Sequence, residues 1–164
     1  MSRGHLLWCK KMPVDNPRHQ FDIRALHADD RAPWVDARCR LWSDCSPTQA
    51  LAEVERILRD GDQLAVGAFE SDALIGFAEY SLHPHAIGCA TGPVAYLEAW
   101  WVAEDYRRSG VGRKLVDAGV AWGRSKGCSE LASDTWIDNV ASDGAHRALG
   151  FEAVERLIHY RRSI

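Results

Sequence analysis

Along this chain apolar residues recur at every second position in some stretches and at every third or fourth in others, and the switching between the two periods predicts the elements. "FDIRAL" (residues 21–26) alternates, with Phe21, Ile23 and Ala25 on one face, as a strand does. "DDRAPWVDARCRLW" (29–42) reads as a helix capped by Asp29 or Asp30, with Pro33 tolerated in its first turn. "SPTQALAEVERILRDG" (46–61) is a second helix. Ser46 can cap it, Leu51, Val54 and Leu58 share a face, and Gly61 stops it.

"QLAVGAFE" (63–70) and "ALIGFAEYSL" (73–82), separated by "SD", predict an antiparallel hairpin. The loop "HPHAIGCATGP" (83–93) leads into "VAYLEAWWV" (94–102), the most apolar strand of the chain. A helix follows from Gly110 to Lys126, with Val111, Leu115, Ala118 and Trp122 at helical spacing. "SELASDT" reads as a short strand, "VASDGAHRAL" as a short helix closed by Gly150, and "FEAVERLIHYRR" (151–162) as a long final strand. The order is β-α-α-β-β-β-α-β-α-β: a mixed α/β fold whose sheet is partly antiparallel and partly parallel.

Composition narrows the class. The 164 residues suit one domain, expected over 21–164, with residues 1–20 as a flexible extension that has two prolines and no periodicity. A net charge of −3 gives no basic footprint for nucleic acid and is compatible with a cationic small molecule. The five cysteines form no CxxC pair and the histidines no HExxH, so the reading is reduced thiols in a cytoplasmic protein without a metal. No apolar run approaches the roughly 18 residues of a membrane span.

One short motif carries chemistry. In "YRRSGVG" (106–112) a helix opening at Gly110 exposes its first N–H groups and its positive dipole end. Gly110 and Gly112 remove side chains that would keep a phosphate away, Arg107 and Arg108 add cationic donors, and Ser109 adds a hydroxyl. Locally, a turn and a phosphate seat are both compatible with these residues.

The spelling R-x-x-G-x-G (Arg107, Gly110, Gly112) after a strand, the β-α-β-α-β order around it, and "ALGF" (148–151) resemble the GNAT superfamily of N-acetyltransferases. The resemblance implies acetyl-CoA as cosubstrate. Backbone groups from Arg108 through Ser109, Gly110 and Val111 to Gly112 would bind its pyrophosphate, Trp101 and Val102 would pair with the pantetheine arm, and Asn139 would lie near that arm. "RLW" (40–42), "IGFAEYS" (75–81), "YLEAWWV" (96–102), "KGCSELASDT" (126–135) and "HRALGFEAVERLIHYRR" (146–162) are similar to the aminoglycoside 6'-N-acetyltransferases. That likeness implies direct transfer to an amine through a tetrahedral intermediate, the thioester carbonyl polarised by the Val102 N–H, with no cysteine as acyl carrier. It also implies a homodimer in which the last strand pairs across subunits.

Two carboxylates stand where a sheet is otherwise apolar. Glu98 interrupts "VAYLEAWWV", where a bare carboxylate would cost several kcal/mol unless paired or solvated. An ion pair with a neighbouring arginine is one reading, a site in a cleft the other. Asp134 ends the next strand and reads either as a turn residue or as a second wall of that cleft. The resemblance implies that both hold substrate ammonium groups and that Glu98 relays a proton through water. Trp42 is a core aromatic or a wall for a polycationic sugar. Asp44 and Glu79 rank below these, a solvated surface carboxylate being their ordinary reading.

The pattern departs from the family in two places. His146 stands where many GNAT enzymes carry a general-acid tyrosine, and it reads as a proton donor or as helix packing. The loop after residue 82 offers His83 and His85 where the subfamily often has an enclosing tyrosine, and His85 is taken as the substrate contact. The alternatives to aminoglycoside acetylation are a GNAT enzyme acting on another amine, and a binding module for acetyl-CoA or an aminoglycoside.

Overall fold

The centre of the sheet is a tight hairpin. β2 (Gln63–Glu70) and β3 (Ala73–His83) pair antiparallel through a two-residue turn. There Ser71 takes the positive φ, 54°, that such turns require. β1 (Asp22–Ala25) flanks β2 and β4 (Val94–Val102) flanks β3, both antiparallel, while β5 (Leu131–Ser133) joins β4 in parallel. The strand order β1-β2-β3-β4-β5 is the mixed sheet expected from the sequence. The computed structural model describes residues 20–164, so all but Gln20 of the predicted extension lies outside the described residues.

Alternation along the strands feeds two apolar layers. Phe77 and Ala99 pack with Trp34 of α1 (Arg31–Leu41) and with Val54 and Ile57 of α2 (Pro47–Arg59). Val66, Ala78, Tyr80 and Leu97 pack on the opposite side with Val111, Leu115 and Val116 of α3 (Val111–Ser125). α4 (Val140–Ala148) follows β5. Ser46 caps α2 as expected: its hydroxyl accepts from the Gln49 N–H, and the Gln49 side chain reaches back to the Ser46 N–H. The buried stripe of α2 is Ala50, Val54 and Ile57, while Leu51 is exposed, so the predicted face is rotated by about one position.

The last predicted strand is absent. Residues 151–164 form no strand, and Val154, Leu157, Ile158 and Tyr160 are exposed. The neighbouring edge offers an explanation: β5 spans three residues, too few to pair with so long a segment. Among the described residues no helix is long and apolar enough to cross a membrane, and no cluster of three His, Cys, Asp or Glu could hold a metal ion.

Candidate active site

A bulge resolves the problem of Glu98. The β3–β4 register runs Glu79 opposite Ala99 and then Tyr80 opposite Leu97, so Glu98 is the extra residue of β4. The bulge turns its side chain out of the ladder, and it is 42% exposed in the middle of the strand. Its carboxylate enters a cleft of about 390 Å³ whose lining includes Arg38, Trp42, Glu79, Ser81 and, from α2, Glu53, Arg56 and Ile57. Ser81 donates its hydroxyl to Glu98 Oε1, and His83 Nε2 lies 2.7 Å from the same oxygen. Oε2 has no protein partner among the described residues.

The arginine pair considered for Glu98 belongs instead to Glu79. Glu79 sits one strand away, buried, with Arg38 on one oxygen and the indole N–H of Trp34 donating to the other at 2.7 Å. Glu79 is therefore a buried strut, and its ordinary reading as a solvated surface carboxylate does not hold. Burial pushes its carboxyl up while Arg38 and Trp34 pull it down. The Arg38 guanidinium also lies 4.8 Å from the Trp42 ring, which fixes that ring at the end of α1 as a wall of the cleft. Asp44 is exposed on the following turn.

Asp134 accepts a 2.9 Å hydrogen bond from the Tyr96 hydroxyl, and His83 stacks on Tyr96 with ring centroids 4.4 Å apart. A continuous polar surface thus runs from Glu98 through His83 and Tyr96 to Asp134. His85 is exposed on the loop and makes no hydrogen bond or ring contact among the described residues; His83, two residues earlier at the end of β3, is the histidine that reaches Glu98. That loop is tied to the sheet by Glu130, which accepts from the N–H groups of Ala90 and Thr91.

On the other side of the sheet β4 and β5 part. Their pairing stops at Leu97 and Ser133, so residues 98–102 of β4 border an open gap. The Ala103 N–H bonds to Ile75 O, and strand alternation then turns the Val102 N–H towards the gap. Trp101 faces Phe77, so its backbone serves the β3 ladder and is not free for a pantetheine arm. Arg107 donates through Nε to the Val102 carbonyl at 3.2 Å and Ser109 to the Tyr106 carbonyl, which commits both side chains to holding the loop.

At the start of α3 the two glycines have different causes. Gly110 is the N-cap with φ of 96°, a left-handed conformation, and a Cβ there would meet nothing within 4 Å. Gly112 is required by packing: a Cβ would come 2.7 Å from Trp100 Cζ2. Among the described residues no backbone carbonyl outside the helix accepts from the N–H groups of Arg108, Ser109, Gly110, Val111 and Gly112, so this stretch offers a concave row of donors at a helix N-terminus. Such a donor set fits a pyrophosphate.

His146 of α4 reaches both strands that border the gap, Trp100 of β4 and Ser133 of β5. The His146 ring packs edge-on against Trp100 and Phe151, with Nδ1 2.8 Å from the Ser142 carbonyl and Nε2 3.0 Å from Ser133 Oγ. Both nitrogens are engaged, as the packing reading requires. Asn139 caps α4 by accepting from the Ser142 N–H at 3.1 Å. Sequence reasoning passed over Ser81, Tyr96 and Arg38. Ser81 and Tyr96 carried a signal, since they stand at even spacing from Glu79 and Glu98 on their strands; Arg38 carried none beyond its helix position.

The model of the acetyltransferase (GNAT) family matches residues 23–151, and the chain belongs to that family. It is 40% identical over 147 residues to an aminoglycoside N(6')-acetyltransferase type 1 of Klebsiella aerogenes, covering 87% of this chain and 96% of that protein. Among solved structures it is similar to the aminoglycoside N-acetyltransferase AAC(6')-Iy with coenzyme A, at 37% identity and a TM-score of 0.85, over 91% of this chain and 99% of that one. The same enzyme bound to the bisubstrate analogue CoA-S-monomethyl-acetylneamine matches with a TM-score of 0.83, at 37% identity over 88% of this chain and 99% of that one.

Proposed function

We propose that this protein acetylates the 6'-amine of aminoglycosides with acetyl-CoA. The observation that carries the reading is the bulge at Glu98, whose open carboxylate lines a cleft on the same strand that ends at Val102, with Tyr96 on that strand bonded to Asp134. Relatives of this similarity are aminoglycoside N(6')-acetyltransferases, and one binds a coenzyme A–neamine bisubstrate analogue.

Acetyl-CoA supplies an acetyl group activated as a thioester. The N–H groups of residues 108–112 and the Arg108 side chain hold the pyrophosphate, and the Val102 N–H donates to the carbonyl oxygen. Asp134 and Glu98 hold ammonium groups of the acceptor, while Trp42 forms a wall of its cleft. An ammonium has no lone pair with which to attack, so a proton must leave before transfer. Glu98 Oε2 accepts it through water.

The exposed face of the C-terminal segment supports a homodimer: Val154, Ile158 and Tyr160 alternate as a strand does but have no sheet partner within the chain. The domain spans 21–164, with residues 1–20 as an appendage. Four free cysteines among the described residues and the need for acetyl-CoA suit the cytoplasm. The test is incubation with acetyl-CoA and kanamycin, with NMR locating the acetyl group. Acetylation at another position, a clear kinetic preference for spermidine, or binding without thiol release would each refute the reading.

A further inference from the structure

We infer that His83 sets the charge of the acceptor cleft, acting as a proton-sensitive positioning residue for Glu98; the inference rests on the acceptor reading given above. The charges lining the cleft otherwise cancel in pairs. Arg38 of α1 is matched by Glu79 of β3, and Arg56 of α2 by Glu53 at 3.0 Å. Glu98 of β4 has no lysine or arginine partner among the described residues. The one basic side chain it touches among the described residues is the imidazole of His83, Nε2 to Oε1 at 2.7 Å.

The other groups around His83 bring no competing positive charge. Tyr96, stacked beneath its ring at an interplanar angle of 15°, is kept protonated by burial and by Asp134. Burial and Glu130 keep the nearby Cys89 a thiol. Asp134, beyond β5, adds a second negative charge, and His85 is exposed on the succeeding loop. The stack on Tyr96 and the Ser81 hydrogen bond hold imidazole and carboxylate edge to edge. The side chains of His83 and Glu98 remain 37% and 42% exposed, so a ligand reaches them directly.

Imidazole is the side chain whose ordinary titration falls between pH 5 and 8. In the neutral Nε2–H form it donates to Glu98 and leaves Glu98 and Asp134 both uncompensated. With a second proton it cancels Glu98. An acceptor ammonium seeks the same carboxylate, so ammonium binding and His83 protonation oppose each other by one reciprocal factor. The sign follows: a bound cation and a second proton on the imidazole exclude each other, so binding releases a proton and acceptor affinity rises with pH.

The experiment compares the full chain with His83→Gln, which keeps a neutral donor but cannot titrate. Kanamycin affinity by calorimetry and acceptor KM are followed between about pH 5.5 and about pH 8.5, a window that brackets imidazole titration. On going to the acid end the wild type loses roughly three- to fivefold more kanamycin affinity than the variant, a partly exposed ion pair's worth, while the KM for acetyl-CoA is the same in both. Parallel profiles would overturn the inference, as would an equal loss at every pH, the mark of a prop or a direct contact. If the variant does not fold, the wild type decides by calorimetry in two buffers of different ionisation enthalpy: kanamycin binding must release protons at the acid end of the window, and binding without proton release there overturns the inference. Kanamycin that neither binds nor is acetylated at any pH refutes the acceptor reading instead, and the same titration with spermidine then decides the role of His83.

Discussion

Arg38 and Glu79 form a buried ion pair, their side chains 8% and 6% exposed, directly behind the cleft that Glu98 enters. Replacing Arg38 by Met strands the Glu79 carboxylate in an apolar layer, and about 3–5 kcal/mol of stability is lost at neutral pH. In that variant burial keeps the folded-state pKa of Glu79 raised, so the deficit grows with pH above the ordinary carboxylate range and shrinks as pH falls towards it. The double variant Arg38→Met, Glu79→Leu recovers most of the loss. Urea unfolding of the two single variants and the double variant from about pH 5 to about pH 8 measures the coupling; simple additivity would refute a buried pair.

The proposed function gives Glu98 and Asp134 different shares of acceptor binding and chemistry, and substitutions separate them. Glu98→Gln removes the proton acceptor at the bulge and lowers kcat/KM for the aminoglycoside by about 100-fold. Asp134→Asn removes a charge on the far side of Tyr96, raising acceptor KM by about 5–10-fold with kcat largely kept. Both leave the KM for acetyl-CoA within about twofold, because the N–H row at α3 is untouched. Steady-state thiol release read against each substrate in turn checks the split, and a matching rise in both KM values would contradict it.

The two glycines of the 106–112 loop respond differently to alanine. Gly110→Ala forces a side chain into φ of 96° and costs roughly 1–2 kcal/mol. The strain shifts the donor row, and the KM for acetyl-CoA rises by about tenfold. At Gly112 the obstacle is the Trp100 ring, so shrinking that ring with Trp100→Leu restores part of the stability that Gly112→Ala removes and restores nothing to Gly110→Ala. Thermal unfolding of the four variants with and without coenzyme A separates the two causes.

Acid sensitivity has a local source at the start of α1. Arg24 clasps Asp30 through two 2.7 Å hydrogen bonds, and the His27 N–H donates to the same carboxylate. Arg24 is the main cause that lowers the Asp30 carboxyl to about 2. A depressed folded-state pKa means that the contribution is complete above the unfolded value near 3.9 and is lost as pH falls towards about 2. Asp30→Asn therefore costs about 1 kcal/mol at pH 7, Arg24 being open to solvent, and nothing at the acid end of that window. Denaturant midpoints at several acid pH values test it.

The elements of the core were legible because burial dictates their periods: the hairpin, the β4 strand and α3 all follow from alternation or helical spacing. Glu98 was legible as an anomaly, a carboxylate in an apolar strand. Its partner was not, because a bulge shifts facing by one residue and moved the arginine to Glu79. His83 is the last residue of β3, at even spacing from Glu79 and Ser81, while His85 lies in the loop beyond it; the strand's end, which decides between them, was not legible because the loop was expected to begin at residue 83. Gly112 looked like a phosphate glycine and is also a packing glycine, since close approach to Trp100 depends on a contact remote in the chain. The C-terminal strand was read from a real alternation, but a strand also needs an edge, and edges are a property of the whole sheet.

That segment gives the last prediction. Val154 packs on Gly88 yet remains 61% exposed, and Ile158 and Tyr160, which share its parity in the sequence, are 76% and 90% exposed. A monomer in water gains nothing by displaying these side chains, whereas pairing with a second copy would bury each for about 1.5–3 kcal/mol. Ile158→Asp with Tyr160→Asp places two charges per subunit in that interface and weakens a dimer by at least about 100-fold. Light scattering across a dilution series then shows the wild type as a dimer and the double variant as a monomer. A wild type that is monomeric at every concentration, or a variant that dimerises as the wild type does, would remove the C-terminal face from the assembly.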